Sequence, residues 1–142
     1  MNHEAIVSLK RKPSAAALKG LYRQAWWTAG RGDAGIAAVL KHSDVMATAW
    51  ANRNLVGMAR ASTDFAYRAV LWDVIVHPEW RRRGLGTRLV RAVLDDPRLA
   101  GVESFWLFTS NQQAFYRRLG FRAHPRNVLV WRRSVPPGGP AL

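Results

Sequence analysis

The sequence predicts an α/β domain in which helices flank a mixed, mostly antiparallel sheet with one parallel central pair of strands. Residues Val70 to Val76 form an apolar run interrupted only by Asp73, which is typical of a strand buried on both faces. A helix with an apolar stripe runs from Thr87 to Leu94, and a second apolar strand follows from Val102 to Thr109. Because a helix separates the two strands, we expect them to pair in parallel.

The segment before this central strand predicts three further strands and two helices. A short first strand is expected within His3 to Lys10, and apolar residues recur at helical spacing from Ser14 to Ala29. Asp33 is predicted to be the N-cap of a second helix that ends near Lys41. The segments Val45 to Trp50 and Leu55 to Ala61 alternate as strands and predict a hairpin.

The segment after the parallel pair predicts a helix and two closing strands. Ser110 and Gln113 form a capping-box pattern for a helix through Leu119, which Gly120 is expected to end. Closing strands are predicted at 121–123 and 127–133. We expect a single domain over residues 1–135 and a disordered tail over residues 136–142.

Composition limits the classes of function. The chain has 142 residues, no cysteine, and 22 Lys+Arg against 9 Asp+Glu, which gives a net charge of +13. The absence of cysteine excludes disulfides, thiolate metal sites and a cysteine nucleophile, while the positive charge favours polyanionic partners or a phosphorylated cofactor. No apolar run approaches the ~20 residues needed to cross a bilayer, so we expect a soluble, cytoplasmic protein.

The junction after the central strand predicts an anion site. Arg81, Arg82 and Arg83 precede Gly84 and Gly86 at the start of a helix. The first turn of a helix has unpaired N–H groups and a partial positive charge, and glycines allow a ligand to approach the backbone closely. The alternative is a solvated arginine run, but the order of strand, arginines, glycines and helix favours a phosphate ligand.

Two common nucleotide-binding motifs do not fit this junction. A P-loop requires a Gly-Lys pair followed by Ser or Thr, and the sequence contains none. A dinucleotide fingerprint requires a third glycine where Leu89 stands, and its glycines follow the strand directly.

The pattern that does fit is R-x-x-G-x-G preceded by V-x-P, formed by Val76 to Pro78 and Arg81 to Gly86. It resembles the coenzyme A pyrophosphate loop of the GCN5-related N-acetyltransferase family. A second signature of that family matches Asn111, Ala114 and the segment from Phe115 to Phe121, and the two signatures occur in the family's order. The resemblance covers essentially the whole chain and implies the family's fold, in which the parallel strands splay apart.

The resemblance also implies acetyl-CoA as co-substrate and no metal. The cofactor-binding residues expected on this basis come from the central strand, the arginine-glycine segment and the second signature: Val74, Ile75, Val76, Arg81, Arg82, Arg83, Gly84, Leu85, Gly86, Thr87, Asn111, Phe115 and Tyr116. Asn111 would contact the pantetheine arm or, alternatively, cap the helix.

Amine acetylation needs a proton acceptor, a donor to the developing oxyanion and a proton for the thiolate. A backbone N–H of the central strand is expected to serve the oxyanion. Tyr116 is suited to protonate the thiolate, because a phenol has a pKa of ~10, and its alternative role is packing. Asp73 is a candidate base or the acceptor of a structural hydrogen bond, and His77 is a third candidate.

The segment Val56 to Pro78 resembles the plastid and cyanobacterial branch, which includes serotonin N-acetyltransferases and protein acetyltransferases. Here the loop is richer in arginine, and Ala114 stands where that branch often has an acidic residue. Some of the tryptophans, such as Trp26, Trp27, Trp50 and Trp72, are expected to line an aromatic acceptor pocket, and most to lie in the core.

These observations predict an N-acetyltransferase that transfers acetyl directly to a primary amine, either an arylalkylamine or a protein lysine. The expected partners are acetyl-CoA and the amine, with a homodimer left open and no membrane. The alternative is a non-catalytic basic module with the same fold that binds nucleic acid, although such a module has no need for the loop together with Tyr116.

Overall fold

The computed structural model describes residues 4–124 and 128–133. Contacts divide the chain into two units, Met1–Leu107 and Phe108–Leu142. The prediction of a single domain over residues 1–135 stays a prediction, and the predicted tail over residues 136–142 lies outside the described residues.

The first unit contains the sheet and three helices. In chain order its elements are β1 (Ile6–Ser8), α1 (Ala15–Tyr22), α2 (Asp33–His42), β2 (Val45–Ala51), β3 (Asn54–Thr63), β4 (Arg68–Val76), α3 (Leu85–Leu94) and β5 (Ser104–Trp106). The strands lie in the order β1-β2-β3-β4-β5. Adjacent strands from β1 to β4 pair antiparallel, whereas β4 and β5 pair in parallel. The predicted mixed sheet with one parallel pair is therefore confirmed.

Helices α1 and α2 cover one face of the sheet. Their buried residues Leu18, Tyr22 and Ile36 form an apolar core with Met58 of β3 and Ile75 of β4. The helical spacing of the apolar residues in the sequence explains this face, since residues three and four apart lie on one side of a helix. The hairpin of β2 and β3 is confirmed.

Two helix starts differ from the predictions. Gly32, not Asp33, is the N-cap of α2, and Asp33 is the first helical residue, where its carboxylate pairs with Lys19 Nζ at 2.7 Å. Helix α3 begins at Leu85 rather than Thr87, because Gly84 adopts a left-handed conformation and serves as its N-cap. Both carry the apolar stripe that the sequence predicted.

The predicted first helix is too long at its C-terminus. Helix α1 ends at Tyr22, and Gln24 and Ala25 then donate backbone hydrogen bonds to carbonyls three residues back. The buried Thr28 hydroxyl donates to the Tyr22 carbonyl at 2.7 Å, which stabilises this irregular turn. Trp26, predicted to lie on the apolar stripe, is consequently 71% exposed.

The parallel pair is short. Strand β5 has three residues instead of the predicted eight-residue segment, and it pairs with β4 only at Arg68, Ala69 and Val70. Within the first unit, the rest of this side of β4 has no strand partner. We call residues Leu71 to Val76 on this side the open edge.

The second unit contains α4 (Gln113–Arg118). The predicted capping box is wrong, because Gln112 is the N-cap and makes no side-chain cap; its own N–H donates to Thr109 Oγ1 at 3.1 Å. Gly120 follows the helix with φ of 101°, as its predicted role as a helix stop requires.

The predicted closing strands are absent from the described residues 121–124 and 128–133, which have no strand. Their apolar alternation is compatible with a strand, but alternation alone does not supply the backbone ladder that defines one. Residue 127 lies outside the described residues. Among the helices that the structure does describe, none combines the length and the apolar character that a membrane span requires.

Candidate active site

The connection from β4 to α3 is an irregular loop with two left-handed residues. A single 3₁₀ turn at Pro78–Trp80 follows β4, and the His77 ring nitrogen Nδ1 accepts a hydrogen bond from the Glu79 N–H at 3.2 Å. Arg82 and Gly84 then have φ of 63° and 76°. We call residues Arg81 to Gly84 the arginine loop.

The first turn of α3 offers free backbone donors. The Arg88 N–H donates to the Gly84 carbonyl, so the N–H groups of Leu85, Gly86 and Thr87 precede the first intrahelical bond. In the part of the chain that the structure describes, no side chain caps this end of the helix. A Cβ placed on Gly84 would meet no atom within 4 Å, so the space in front of this turn is open. The turn therefore fits an anionic ligand.

The three arginines beside this turn are exposed and carry no carboxylate partner among residues 4–124 and 128–133. Arg81 Nε donates to the Val76 carbonyl at 3.2 Å, which holds its guanidinium at the end of β4. The Arg83 guanidinium lies 4.7 Å from the centre of the Trp80 ring. Their positive charge is available to a ligand, as the sequence predicted.

Helix α3 lies very close to the sheet. Leu85, Leu89 and Val93 are buried on its apolar side. A Cβ on Gly57 of β3 would come within 2.9 Å of Leu89 Cδ1 and 3.2 Å of the Ile75 carbonyl oxygen. Gly57 is thus required for this approach, a role that the sequence analysis missed because an isolated glycine in a strand has several explanations.

Strand β4 contains a β-bulge at Asp73 and Val74. Arg60 of β3 lies opposite Trp72 and Met58 lies opposite Ile75, so two residues of β4 oppose one residue of β3. Asp73 has φ of 51°, a left-handed conformation inside a strand. The bulge lies on the open edge, next to the short parallel pairing.

The bulge determines which backbone donors face the open edge. The His77 N–H donates to the Val56 carbonyl on β3 at 2.8 Å. Because successive N–H groups of a strand point to opposite sides, the N–H groups of Val76 and Val74 face the open edge. That one of these groups serves the oxyanion stays a prediction. Ile75, also predicted to bind the cofactor, has its side chain buried in the core below α1 and its N–H directed toward β3, so the structure does not place it at the open edge.

Asp73 is held by three side chains. Its Oδ2 accepts hydrogen bonds from Tyr22 Oη at 2.9 Å, from Arg31 at 2.6 Å and from Arg60 Nε at 2.7 Å, and its Oδ1 accepts a second bond from Arg31 at 3.1 Å. We call Tyr22, Arg31, Arg60 and Asp73 the aspartate cluster. Of the two roles left open for Asp73, these contacts favour the structural one.

The contacts within the aspartate cluster also shift the pKa values of Asp73 and Tyr22. Burial alone would raise the pKa of the Asp73 carboxyl, but the hydrogen bonds and charges of Arg31 and Arg60 outweigh it and hold that pKa below its ordinary range. Burial, followed by the charge of Asp73, raises the pKa of Tyr22 to about 12. The sequence singled out Asp73 but none of its partners. With 22 Lys and Arg residues in the chain, the sequence does not show which of them pair with this carboxylate.

The predicted residues of the second signature lie together in the second unit. The Tyr116 ring contacts Phe115 and Phe121 edge-on, with ring centres 4.9 Å and 5.8 Å away. Burial raises the pKa of the Tyr116 hydroxyl to about 12. Asn111 precedes α4 and does not cap it, so the cap role considered for it is wrong.

Comparison with known proteins agrees with this architecture. A family model described as the acetyltransferase (GNAT) family matches residues 9–121. Histone acetyltransferase TAP1 of Glycine max is 34% identical over 110 residues, covering 68% of this chain and 48% of that protein. The chloroplastic serotonin N-acetyltransferase 2 of Oryza sativa subsp. japonica is 37% identical over 92 residues, covering 61% and 46%. The chain spans about half the length of these two relatives.

Solved structures share the fold. A protein of Xanthomonas campestris pv. campestris described as belonging to the GNAT family has a TM-score of 0.79 and 29% identity, covering 93% of this chain and 94% of that one. The aminoglycoside N-acetyltransferase AAC(6')-Iy in complex with CoA has a TM-score of 0.72 at 21% identity, which shows the fold alone. The described elements and the matched residues lead to one assignment: the chain belongs to the acetyltransferase (GNAT) family.

Proposed function

We propose that this protein is an acetyl-CoA-dependent N-acetyltransferase that acts on a primary amine. The observation that carries the proposal is the position of two sets of backbone donors in the first unit, one at the first turn of α3 and one along the open edge of β4. The unpaired N–H groups of Leu85, Gly86 and Thr87 follow the end of β4, and the N–H groups of Val74 and Val76 line its open edge. The first set suits a phosphate and the second suits an amide chain or an acyl oxygen.

The residues present fit coenzyme A. Its diphosphate would lie on the first turn of α3, where Gly84 leaves open space and Arg82 and Arg83 supply uncompensated charge. Its pantetheine amides would pair with the open edge of β4 as a further strand does. When bound, acetyl-CoA supplies an acyl group activated as a thioester.

The residues of this chain would then assist a direct transfer. The neutral form of the amine would attack the acyl carbon, and the Val74 N–H would donate to the acyl oxygen, on which negative charge develops. The amine nitrogen would then lose a proton to solvent, directly or through His77. As the carbonyl re-forms and the bond from carbon to sulfur breaks, Tyr116 would give its proton to the departing thiolate and regain a proton from solvent. Tyr116 is protonated at neutral pH, as a donor must be, since burial raises its pKa to about 12. Because the same shift makes it a weaker acid, its proton would move only as the bond from carbon to sulfur breaks and the sulfur becomes basic.

We further propose that the preferred acceptor is an arylalkylamine. Trp26 and Trp27 are 71% and 49% exposed and meet edge-on, with ring centres 5.9 Å apart. They lie on the connection between α1 and α2, which Arg31 ties to Asp73 in the bulge. An exposed pair of indoles on this connection offers an apolar wall and cation–π attraction to an aromatic monoamine. The two relatives differ in what their names state, histone in one and serotonin in the other.

Net charge supports the same acceptor. A surface with a net charge of +13 repels polyamines and lysine-rich segments more strongly than an amine with one charge. Salt screens this repulsion beyond ~8 to 10 Å, so the effect depends on ionic strength. A protein lysine next to acidic residues is the competing acceptor.

Three measurements test the proposal. Calorimetry and a thermal-shift assay with CoA should show binding and a raised melting temperature, and lack of binding would refute the cofactor site. Release of free thiol in the presence of acetyl-CoA and an amine panel tests the transfer. Comparison of kcat/KM for tryptamine, spermidine and a lysine peptide at two salt concentrations tests the acceptor, and a preference for spermidine at both would rule out the arylalkylamine.

A further inference from the structure

We propose that Asp73 is a positioning residue, whose carboxylate keeps the β4 bulge in its left-handed conformation and thereby aims the Val74 N–H at the acyl oxygen. This inference rests on the proposed function and assigns within it a role different from the base considered for Asp73. Asp73 itself would touch neither the amine nor the thioester.

The backbone at Asp73 needs something to hold it. With φ of 51° the residue lies in a region that side chains with a Cβ occupy rarely, although Asp and Asn enter it more readily than most. Among the described residues, the other non-glycine residues with positive φ are Asn52, Phe65 and Arg82, which lie in connections between elements, whereas Asp73 lies within a strand. A strand contains such a residue only when its surroundings determine it.

The aspartate cluster supplies that determination from two directions. Arg60 reaches the carboxylate from the neighbouring strand β3, and Tyr22 and Arg31 reach it from α1 and the connection that follows. The Asp73 side chain is 5% exposed. Because four hydrogen bonds fix the carboxylate, they also fix the Cα–Cβ direction and with it the backbone.

The same contacts make Asp73 a poor base. Three of its four accepted bonds converge on Oδ2, and two of its partners are arginines. Proton transfer to this oxygen would have to break those bonds and would leave two buried or half-buried guanidinium groups without their counter-charge. A base must also be within reach of the amine, and a side chain with this little exposure is not.

The bulge matters to the reaction because it determines the side of β4 toward which each backbone N–H after it points. One extra residue on β4 reverses which N–H groups face β3 and which face the open edge. With the bulge, the N–H groups of Val74 and Val76 face the open edge; without it, they would face β3. Loss of the conformation at Asp73 would therefore remove the oxyanion donor while leaving the arginine loop unchanged.

Glycine substitution separates a backbone role from a chemical one. Glycine adopts left-handed conformations without a Cβ penalty, so Asp73→Gly preserves the bulge better than Asp73→Ala, while both remove the carboxylate. We expect kcat to fall ~100-fold in the alanine variant and to be at least ~10-fold higher in the glycine variant, with Asp73→Asn between them. CoA affinity by calorimetry should fall less than kcat does in each variant, because the diphosphate site at the first turn of α3 is untouched and only the pairing of the pantetheine amides depends on the bulge.

Asp96 provides a matched control. It is the other buried aspartate with an arginine partner, its side chain is 4% exposed, and it has φ of −58°. Asp96→Gly should not exceed Asp96→Ala in kcat, since no left-handed residue is involved. If glycine and alanine at position 73 give equal kcat, whether both are inactive or both resemble the wild type, the positioning role is wrong.

Two further results keep the test decisive. Arg31→Lys retains a charge but loses the paired hydrogen bonds, and because Arg31 is half-exposed this variant should fold. We expect kcat to fall ~3- to 10-fold and CoA affinity to fall by less than kcat, and an unchanged kcat would contradict the inference. The wild-type protein must first show acetyl transfer. A wild type that binds CoA but acetylates no amine would refute the proposed function, whereas an active wild type with equal variants refutes only the role of Asp73.

Discussion

The bulge lies within β4 and the arginine loop follows the end of that strand, and both contain left-handed residues, yet they are built in opposite ways. The loop is exposed, formed by consecutive residues and without carboxylate partners within the described chain. The bulge is held by side chains that arrive from three other segments. The difference teaches that charged side chains which bind a ligand stay unpaired until the ligand arrives. A backbone conformation that must be held in place instead needs hydrogen-bond partners from the protein itself.

The largest expected effect concerns Tyr116, the proposed proton donor, which belongs to neither the arginine loop nor the bulge. Tyr116→Phe should lower kcat ~10- to 1000-fold with little change in acetyl-CoA affinity, because the hydroxyl acts mainly in departure of the thiolate. Steady-state kinetics with calorimetry measures both quantities. Tyr67→Phe is the control, since Tyr67 is exposed and lies outside both regions. Wild-type turnover in the Tyr116 variant across the pH profile would reduce Tyr116 to packing.

The next effect is on CoA affinity and concerns the first turn of α3, which follows the arginine loop. Gly86→Val should weaken CoA at least ~10-fold, about 1.4 kcal/mol, because a branched side chain would occupy the space of the anion at the first turn of α3. Calorimetry measures it. Gly35→Val makes the same substitution in the first turn of α2, where a Cβ meets no atom within 4 Å, and should bind CoA normally. Normal CoA affinity in the Gly86 variant would show that the first turn of α3 does not bind the cofactor.

A smaller effect separates charge from backbone within the loop. Arg82 has φ of 63°, so Arg82→Gly removes a cation while suiting the local conformation. We expect CoA affinity to fall ~3-fold and to depend less steeply on salt, without loss of melting temperature. Titrations with CoA at two salt concentrations and a thermal melt measure these quantities. A lower melting temperature with unchanged affinity would show that Arg82 has a structural role instead.

The smallest effect concerns the bulge and appears only in acid. Because the folded-state pKa of Asp73 lies below its ordinary value of ~3.9, its ionised form stabilises the fold above that pH, and this contribution is lost as pH falls through the folded-state pKa. The wild type should melt higher than Asp73→Asn by a constant margin above pH ~5, and the margin should narrow below pH ~4. A margin that stays constant down to pH ~2 would contradict the ion pairing.

The loop was predictable because its signal is local. The arginines, Gly84, Gly86 and the apolar stripe of α3 follow one another in sequence, and each has a short-range physical meaning. Asp73 was recognisable as an anomaly in an apolar strand. Its bulge and its partners were not, because they depend on residues between 13 and 51 positions away.

The misplaced elements have the same cause. Trp26 fits a helical stripe, but the Thr28 hydroxyl bond to the Tyr22 carbonyl ends the regular helix before it. The apolar segment of β5 extends beyond the three residues that pair with β4, and hydropathy does not reveal where a ladder stops. Patterns of side chains predict which elements form, whereas their ends depend on bonds made at a distance.

Gly57 gives the relation between loop and bulge a mechanical consequence. The missing side chain brings Leu89 of α3 and the Ile75 carbonyl of β4 against the same backbone atom, so the helix that carries one donor set and the strand that carries the other are fixed to a common point. In a Gly57→Ala variant the Leu89 side chain could turn away, but the Ile75 carbonyl would have to move by a few tenths of an ångström. The donor geometry on β4 that the proposed function requires therefore depends on a missing side chain in the neighbouring strand.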